Sequence, residues 1–368
     1  MRDSFEVASS SGNYLVVSGT GLLAEAVSKN PSAIFLVDAR LQLHLLTGVI
    51  RKIEIEATEN SKSLECIPQV IAKLREFGAT RSSHLIAIGG GTIQDIATFS
   101  ASIYMRGIPW TYMPTTLLGM TDSCIGGKSS INVLGYKNLV GNFHPPAQVL
   151  IDLDFIESLN AEQMVAGLYE AVKICYARGY QAFQDYLSDS PSASMNPLDA
   201  QRTILHSLRT KKWFIEVDEF DQNERLLLNF GHTFGHAIEA GTGFRVSHGI
   251  AVGIGMLASI EYANMRSWLS DTGLSVTAQL RNYLQFLLGE SDKCVVEPPS
   301  PITLSLVMEK FEGDKKHLPD VYRIVVPKED GALTLASEPR NQFVRRDIAT
   351  AYEHVFAEIG WDMVSAIQ

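Results

Sequence analysis

The stretch His84-Leu85-Ile86-Ala87-Ile88-Gly89-Gly90-Gly91, followed by a helical pattern from Thr92 to about Met105, decides the fold. A short apolar run that ends in glycines and opens into a helix reads as a buried strand, a tight turn and a helix N-terminus. The same grammar recurs upstream. Tyr14-Leu15-Val16-Val17 and Ala33-Ile34-Phe35-Leu36-Val37 read as strands, and Ile67 to Phe77 carries apolar residues at helical spacing (Ile67, Val70, Ile71, Leu74). Strands alternating with helices predict a parallel sheet flanked by helices over residues 1–152. Beyond residue 152 the β-branched runs thin out. Helical patterns follow at Ala161 to Ala177, Leu198 to Glu216, Glu224 to Ala240 and Ile250 to Met265. A mostly α-helical second domain over residues 153–368 is therefore expected, and 368 residues suit two cores better than one. The polar stretches Ser188 to Asn196 and Ser291 to Pro301 read as surface loops.

Composition narrows the function. Apolar residues make up 46% and charged residues 20%, an ordinary globular balance. The net charge of −10 argues against a nucleic-acid or membrane-surface partner, and no apolar run approaches the ~20 residues of a membrane span. No signal-like segment opens the chain, so a cytoplasmic location is expected. Cys66, Cys124, Cys175 and Cys294 are scattered and form no CxxC pair, which excludes a thiolate zinc site and predicts free thiols.

Three clusters carry chemistry. Gly89, Gly90 and Gly91 would let a backbone approach a phosphate at a helix N-terminus, with Asp95 on the first turn. A tight turn without a ligand reads equally well, and the pattern is not GxGxxG. From Tyr104-Met105-Arg106-Gly107 through Met113-Pro114-Thr115-Thr116 to Thr121-Asp122-Ser123-Cys124-Ile125-Gly126-Gly127-Lys128 and Tyr136-Lys137-Asn138, hydroxyls, glycines and cations alternate. Such a segment gains little from burial and suits ligand contact, with Lys128 able to present an ammonium to a phosphate; a solvated polar loop is the alternative. His232 and His236 are four apart on a helical pattern and so share a face. With His248 and with Glu170 from an earlier helix, they offer nitrogen and oxygen donors that suit Zn²⁺. A histidine pair in packing or at the surface accounts for the spacing as well.

Taken in order, GGGTIQDIATFSASIYMRGIPWTYMPTTLLGMTDSCIGGKSSINVLGYKNLVGNFHPP (Gly89 to Pro146), GLYEAVK (Gly167 to Lys173), DEFDQNERLLLNFGHTFGHAIE (Asp218 to Glu239) and SHGIAVGIGM (Ser247 to Met256) resemble the 3-dehydroquinate synthase and sugar-phosphate cyclase family. The resemblance implies an N-terminal NAD-binding α/β domain and a helical metal-binding domain with the active site between them. It implies metal ligands Glu170, His232 and His248, holding Zn²⁺ or Co²⁺. It implies an NAD site built from Asp38, Glu59, Lys62, Gly89, Gly90, Gly91, Asp95, Thr115, Thr116, Asp122 and Lys137. The substrate and catalytic residues it implies are Lys128, Lys137, Asn138, Lys173, Lys211, Arg225, Asn229 and His236, with Lys315 or Lys316 closing a phosphate pocket. Arg106 resembles an arginine that reaches a neighbouring subunit's site, which implies a homodimer.

The implied reaction is a phosphate-eliminating carbon–oxygen lyase. A ring carbinol is oxidised, phosphate leaves by β-elimination, the ketone is reduced, and the opened ring closes by intramolecular aldol addition. Arg225 and Lys211 suit a substrate carboxylate, so a heptulosonate 7-phosphate going to 3-dehydroquinate is the expected chemistry. Aminodehydroquinate, valiolone-type and inosose-type synthases are the related alternatives. A metal-dependent polyol dehydrogenase is a further one, against which Lys128 and Lys137-Asn138 speak. The chain departs from the family pattern at Gln94, Thr98, Ser100, Asp221 and Ile250, where Gly, small apolar residues, Glu and the glutamate of HGE are usual.

Overall fold

The computed structural model describes residues 2–291 and 302–364. Along the chain the elements are β1 (Asp3–Val7), β2 (Tyr14–Gly19), α1 (Leu22–Lys29), β3 (Ile34–Asp38), β4 (Lys52–Ile55), α2 (Ile67–Glu76), β5 (Leu85–Gly89), α3 (Gly91–Ile103), β6 (Trp110–Pro114), β7 (Ile131–Val133), β8 (Tyr136–Val140) and β9 (Gln148–Asp152). Then come α4 (Ala161–Arg178), α5 (Tyr180–Ser188), α6 (Pro197–Val217), α7 (His232–Gly241), α8 (His248–Met265), α9 (Asp271–Ser291), β10 (Ile302–Thr303), α10 (Leu304–Glu312), β11 (Val321–Lys328), β12 (Ala332–Pro339), α11 (Gln342–Glu358) and β13 (Met363–Val364). Cys294 and most of the Ser291 to Pro301 stretch lie outside the described residues; Cys66, Cys124 and Cys175 are free thiols. No helix among the described residues is long and apolar enough to cross a membrane.

The chain forms two compact units. The first runs to Leu159 and adds Asn196–Glu219; the second is Asn160–Met195 with the chain from Phe220 onward. This differs from a single cut at residue 152. Helix α6 belongs to the first unit: Ser207 donates to the Thr121 carbonyl (2.8 Å), Gln201 to Ser18 Oγ (3.2 Å), and Arg209 pairs with Asp3 (2.9 Å). An amphipathic pattern states that a helix has a core side but not which core it faces.

The first unit is a seven-stranded sheet in the order β1-β2-β9-β6-β5-β3-β4. The β1–β2 pair is antiparallel and every other pair is parallel. Strands β3, β5 and β6 are buried along their whole length, as parallel strands covered on both faces must be. Helix α3 ends at Ile103, earlier than its apolar pattern suggests, because Met105 and Arg106 take left-handed backbone (φ 51° and 69°) and lead into Gly107. Asp95 is the fifth residue of α3 and so lies past its first turn.

The second unit is helical, with a long antiparallel hairpin, β11–β12, added. The expected helix from Glu224 to Ala240 is two elements. A 3₁₀ segment covers Glu224–Asn229, and α7 begins at His232 after Gly231, whose φ is 73°. Close backbone contact organises this unit. A Cβ on Gly255 of α8 would fall on the Gly231 carbonyl oxygen, and one on Gly235 of α7 would lie 2.6 Å from the Ala251 oxygen. On another face of α8, a Cβ on Gly249 would lie 2.6 Å from Ala166 Cβ, and one on Gly253 would enter the Tyr169 ring of α4. Glycine thus lets α8 press against α7 and α4 together.

Two substitutions test this packing by urea unfolding. Gly255→Ala is expected to destabilise by at least the ~1–3 kcal/mol of ordinary overpacking, because backbone cannot step aside as a side chain can. Gly289→Ala on α9 meets nothing within 4 Å and is expected to stabilise by up to ~1 kcal/mol through helix propensity alone. A neutral Gly255→Ala would show that the helix contact is softer than drawn.

Candidate active site

The first unit gathers most of the expected cofactor residues where β5 meets α3. Gly89 abuts Ile93, since a Cβ there would lie 2.5 Å from Ile93 Cγ1; its carbonyl accepts the Thr115 N–H (3.1 Å) and the Tyr112 hydroxyl (3.1 Å). Gly90 lies beside Thr116, whose Cγ2 would be 3.1 Å from an added Cβ. At Gly91, the first residue of α3, a Cβ would meet nothing within 4 Å. The turn is closed on its inner side and open at the helix start, which fits a pyrophosphate cradle.

Around this turn the acidic and basic candidates are paired. Asp95 Oδ2 meets Lys62 Nζ at 2.8 Å and its Oδ1 accepts the Ser130 N–H at 2.9 Å. Burial pushes the Asp95 carboxyl up to about 6, against the pull of Lys62. Glu59 accepts from the Asn132 amide (2.8 Å) and lies 3.6 Å from Lys137 Nζ. The Asn138 N–H donates to Asn132 Oδ1 (2.9 Å) from a left-handed backbone, φ 53°. Asp38, at the end of β3, accepts the N–H groups of Arg40 (3.1 Å) and Ala57 (3.2 Å). Asp122 pairs with the buried ammonium of Lys211 at 2.5 Å; this lysine also donates to the Asp122 and Ile125 carbonyls. Gln94, one of the departures from the family pattern, is buried and exchanges hydrogen bonds with Ser123, donating to its carbonyl and accepting from its hydroxyl (2.5 Å each). Lys128 sits half-buried after Gly127 with Phe143 beneath its ammonium (5.9 Å to the ring centroid). Arg106 is exposed.

The second unit holds the remaining candidates. His232 opens α7, His236 lies one turn on, and His248 opens α8. Their rings pack edge-on or tilted, with centroids 5.2 to 5.5 Å apart. Among the described residues these three form the group whose ligand atoms all fall within 4.8 Å of one another. Glu170 comes up from α4: its Oε1 is 3.6 Å from His248 Nε2 and 3.9 Å from His232 Nε2, while its Oε2 is held by the buried ammonium of Lys173. Donor atoms of a tetrahedral zinc with bonds of about 2.0–2.1 Å stand about 3.4 Å apart. The two Glu170–histidine spacings, 3.6 and 3.9 Å, are slightly wider than that and compatible with a small divalent cation.

Ring partners sort the histidines. A neutral imidazole carries one N–H. His232 Nδ1 lies 3.2 Å from the Phe230 carbonyl, which can only accept, so its Nε2 keeps the lone pair. His248 Nδ1 lies 3.0 Å from Glu239 Oε2, with the same result. His236 Nδ1 faces an ammonium, Lys316 Nζ, at 3.5 Å; an ammonium can only donate, so the His236 proton sits on Nε2. His236 thus presents an N–H at Nε2, and the other two present a lone pair there. Burial, with Lys173 next to His232 and Lys316 next to His236, holds both imidazoles well below the usual histidine range. Burial also pulls His248 down, but its hydrogen bond with Glu239 and the charge of Glu170 outweigh this and leave it raised.

The Glu224–Asn229 segment packs on α4, the helix of Glu170 and Lys173. It carries Arg225, which is buried, and Asn229, whose amide donates to the Leu226 carbonyl (3.0 Å). Lys316 also pairs with Asp314 (3.0 Å), and its ammonium stands 3.5 Å from His236 Nδ1, while the charge of Lys315 also acts on that ring. Glu239 and Phe230 were absent from the expected site. Glu239 closes a quoted motif, but its role depends on the α7–α8 contact, and a backbone carbonyl leaves no mark in residue identity.

Residues 52–166 match the 3-dehydroquinate synthase N-terminal family and residues 167–317 the 3-dehydroquinate synthase C-terminal family. The 3-dehydroquinate synthase of Xylella fastidiosa (strain 9a5c) is 35% identical over 324 residues, covering 86% of this chain and 79% of that protein. The 2-epi-5-epi-valiolone synthase ValA from Streptomyces hygroscopicus subsp. jinggangensis 5008, solved with NAD⁺ and Zn²⁺ bound, superposes with a TM-score of 0.75 at 26% identity, over 94% of this chain and 97% of that one. A 2-deoxy-scyllo-inosose synthase solved with carbaglucose-6-phosphate, NAD⁺ and Co²⁺ shares the fold, with a TM-score of 0.81 at 20% identity over 95% of this chain and 100% of that one. With both halves of the pattern matched in order, and its carboxylate and histidines gathered on α4, α7 and α8, the chain belongs to the 3-dehydroquinate synthase family of sugar-phosphate cyclases.

Proposed function

We propose that the protein is an NAD- and metal-dependent cyclase that converts 3-deoxy-arabino-heptulosonate 7-phosphate to 3-dehydroquinate with loss of phosphate. The observation that carries this reading is the meeting of Glu170 Oε1 with the Nε2 atoms of His232 and His248, at 3.9 and 3.6 Å, while the Nδ1 atoms of both rings are already engaged. That donor set, rather than the three-histidine alternative, would hold Zn²⁺ or Co²⁺. The NAD⁺ and Zn²⁺ of the valiolone synthase support the same pair of cofactors here. Bound nicotinamide supplies reversible hydride transfer at the ring carbinol, and a bound divalent ion supplies Lewis acidity beside it.

The chain's own residues divide the remaining work. Gly89, Gly90 and Gly91 would seat the NAD pyrophosphate, and Thr115 and Thr116 would flank it. Asp38, Glu59, Lys62, Asp95, Asp122 and Lys137 would set the nucleotide and nicotinamide ends. Lys128, Lys137, Asn138 and Lys316 would compensate the substrate phosphate. His236, with its proton on Nε2, would donate to a substrate oxygen. Lys173 secures the Glu170 carboxylate and would stand among the substrate hydroxyls, along with Asn229. Arg225 and Lys211 would take the substrate carboxylate, and that feature favours a heptulosonate over a neutral sugar phosphate. Arg106, held on a left-handed turn and exposed, would complete the site of a second copy in a homodimer.

Purified protein given NAD⁺ and Zn²⁺ or Co²⁺ is expected to release phosphate from 3-deoxy-arabino-heptulosonate 7-phosphate without net NADH, with 3-dehydroquinate identified by mass and NMR. Release from sedoheptulose 7-phosphate or glucose 6-phosphate instead would keep the cyclase chemistry and overturn the substrate. Arg225→Gln is expected to lower kcat/KM by roughly 30-fold or more, from the ~2–5 kcal/mol lost when one partner of a buried charge contact is removed. Lys173→Met leaves the Glu170 carboxylate buried without its ammonium. It is expected to destabilise the metal-free protein by about 3–5 kcal/mol in urea unfolding, and added Zn²⁺ should recover part of that loss.

A further inference from the structure

His248 is exposed to a different degree from its neighbours. Its side chain retains 39% of its surface, against 15% for His232. It is the first residue of α8, and Ser247 before it makes no side-chain cap to the helix. Its ring leans on those of His232 and His236 and is open on the remaining side, so packing alone leaves it room to rotate. It can turn about its χ2 torsion, which puts Cδ2 where Nδ1 stood and Cε1 where Nε2 stood, and a ligand free to do so is ordered only at an entropic cost when a metal binds.

The contact that opposes this rotation comes from α7. Glu239 lies seven residues after His232 and three after His236, so the three share one helix face. Its carboxylate is mostly buried, with 17% of the side chain exposed, and its Oε2 stands 3.0 Å from His248 Nδ1. Two residues further along α8, Ile250 is buried and apolar. A carboxylate can only accept, so the proton is fixed on Nδ1 and the Nε2 lone pair points toward Glu170 Oε1 at 3.6 Å. An anionic acceptor at Nδ1 also makes Nε2 a stronger donor to a cation.

We infer that Glu239 is a positioning residue for the metal centre: it fixes the tautomer and ring orientation of His248 and so sets the affinity of the site for a divalent cation. This rests on the reading of Glu170, His232 and His248 as ligands. Glu239 itself touches neither substrate nor reacting atoms.

The test is Co²⁺ binding by the full-length protein, followed by visible d–d absorption and by competition with a chromophoric chelator. Wild type, His248→Ala, Glu239→Leu, Glu239→Asp and Glu239→Gln are compared. Glu239→Leu is expected to weaken Co²⁺ binding roughly 10- to 100-fold and to alter the absorption band. Glu239→Asp keeps the charge but stops one methylene short of Nδ1, and is expected to weaken binding as well. Glu239→Gln still offers an amide oxygen to the Nδ1–H and is expected to recover most of the affinity. Wild-type affinity and spectrum in Glu239→Leu, or in Glu239→Asp should the leucine variant not fold, would overturn the inference. If His248→Ala loses Co²⁺ in that same experiment, the ligand assignment stands without Glu239. If wild type binds no Co²⁺, or His248→Ala binds it as tightly, the ligand assignment fails and the inference fails with it.

Discussion

The close approach of α8 to two other helices is the constraint on which the candidate site depends. Glu170, His232 and His248 come from three helices far apart in sequence, and a cation requires their donor atoms within about 4 Å. Ordinary helix packing leaves axes 8–10 Å apart with side chains between. Here Gly255 sits against Gly231 and Gly235, and Gly249 and Gly253 sit against Ala166 and Tyr169. With glycine on the α8 side of both crossings, short imidazole and carboxylate arms suffice to meet. The left-handed Gly231 has two tasks: its missing Cβ clears Val252 and Met256 of α8, and its φ of 73° turns the chain so that α7 starts at His232.

Much of the fold was legible because it rests on local pattern. Continuous apolar runs marked β3 and β5, and the three glycines marked the turn into α3. The errors fall where tertiary contact decides. Glu224 to Ala240 has helical periodicity throughout, yet Gly231 divides it, because a position needing φ > 0 looks like any other glycine in sequence. Helix α6 was placed with the helical half by its composition, although Ser207, Lys211 and Arg209 tie it to the sheet unit. The β11–β12 hairpin had its own signal in Val321-Tyr322-Arg323-Ile324-Val325-Val326, a β-branched run masked by the expectation of helices around it.

The site was legible in a different way. Residue spacing alone left His232 and His236 as equal partners on one helix face. The resemblance separated them, assigning one to the metal and one to substrate. The geometry distinguishes the two rings by what faces each Nδ1: a carbonyl for His232, an ammonium for His236. Such partners cannot be read from sequence, because the Phe230 carbonyl exists whatever residue stands there, and Lys316 lies 80 residues from His236.

The departures from the family pattern illustrate how a divergent chain can keep a site. At Gln94, where glycine is usual, the added side chain is buried and satisfies its amide on Ser123, so the larger residue costs no unpaired polar group. Thr98, one turn further along α3, returns its hydroxyl to the Gln94 carbonyl (2.7 Å) and likewise leaves nothing unpaired. Ile250 removes a carboxylate next to His248, but its apolar side chain is buried in α8, and the acceptor for His248 arrives from Glu239 across the α7–α8 crossing. At Gln94 and Thr98 the new polar group is satisfied locally, and at Ile250 the new side chain is packed, whereas the Ser100 hydroxyl on the same helix α3 is buried with no hydrogen-bond partner.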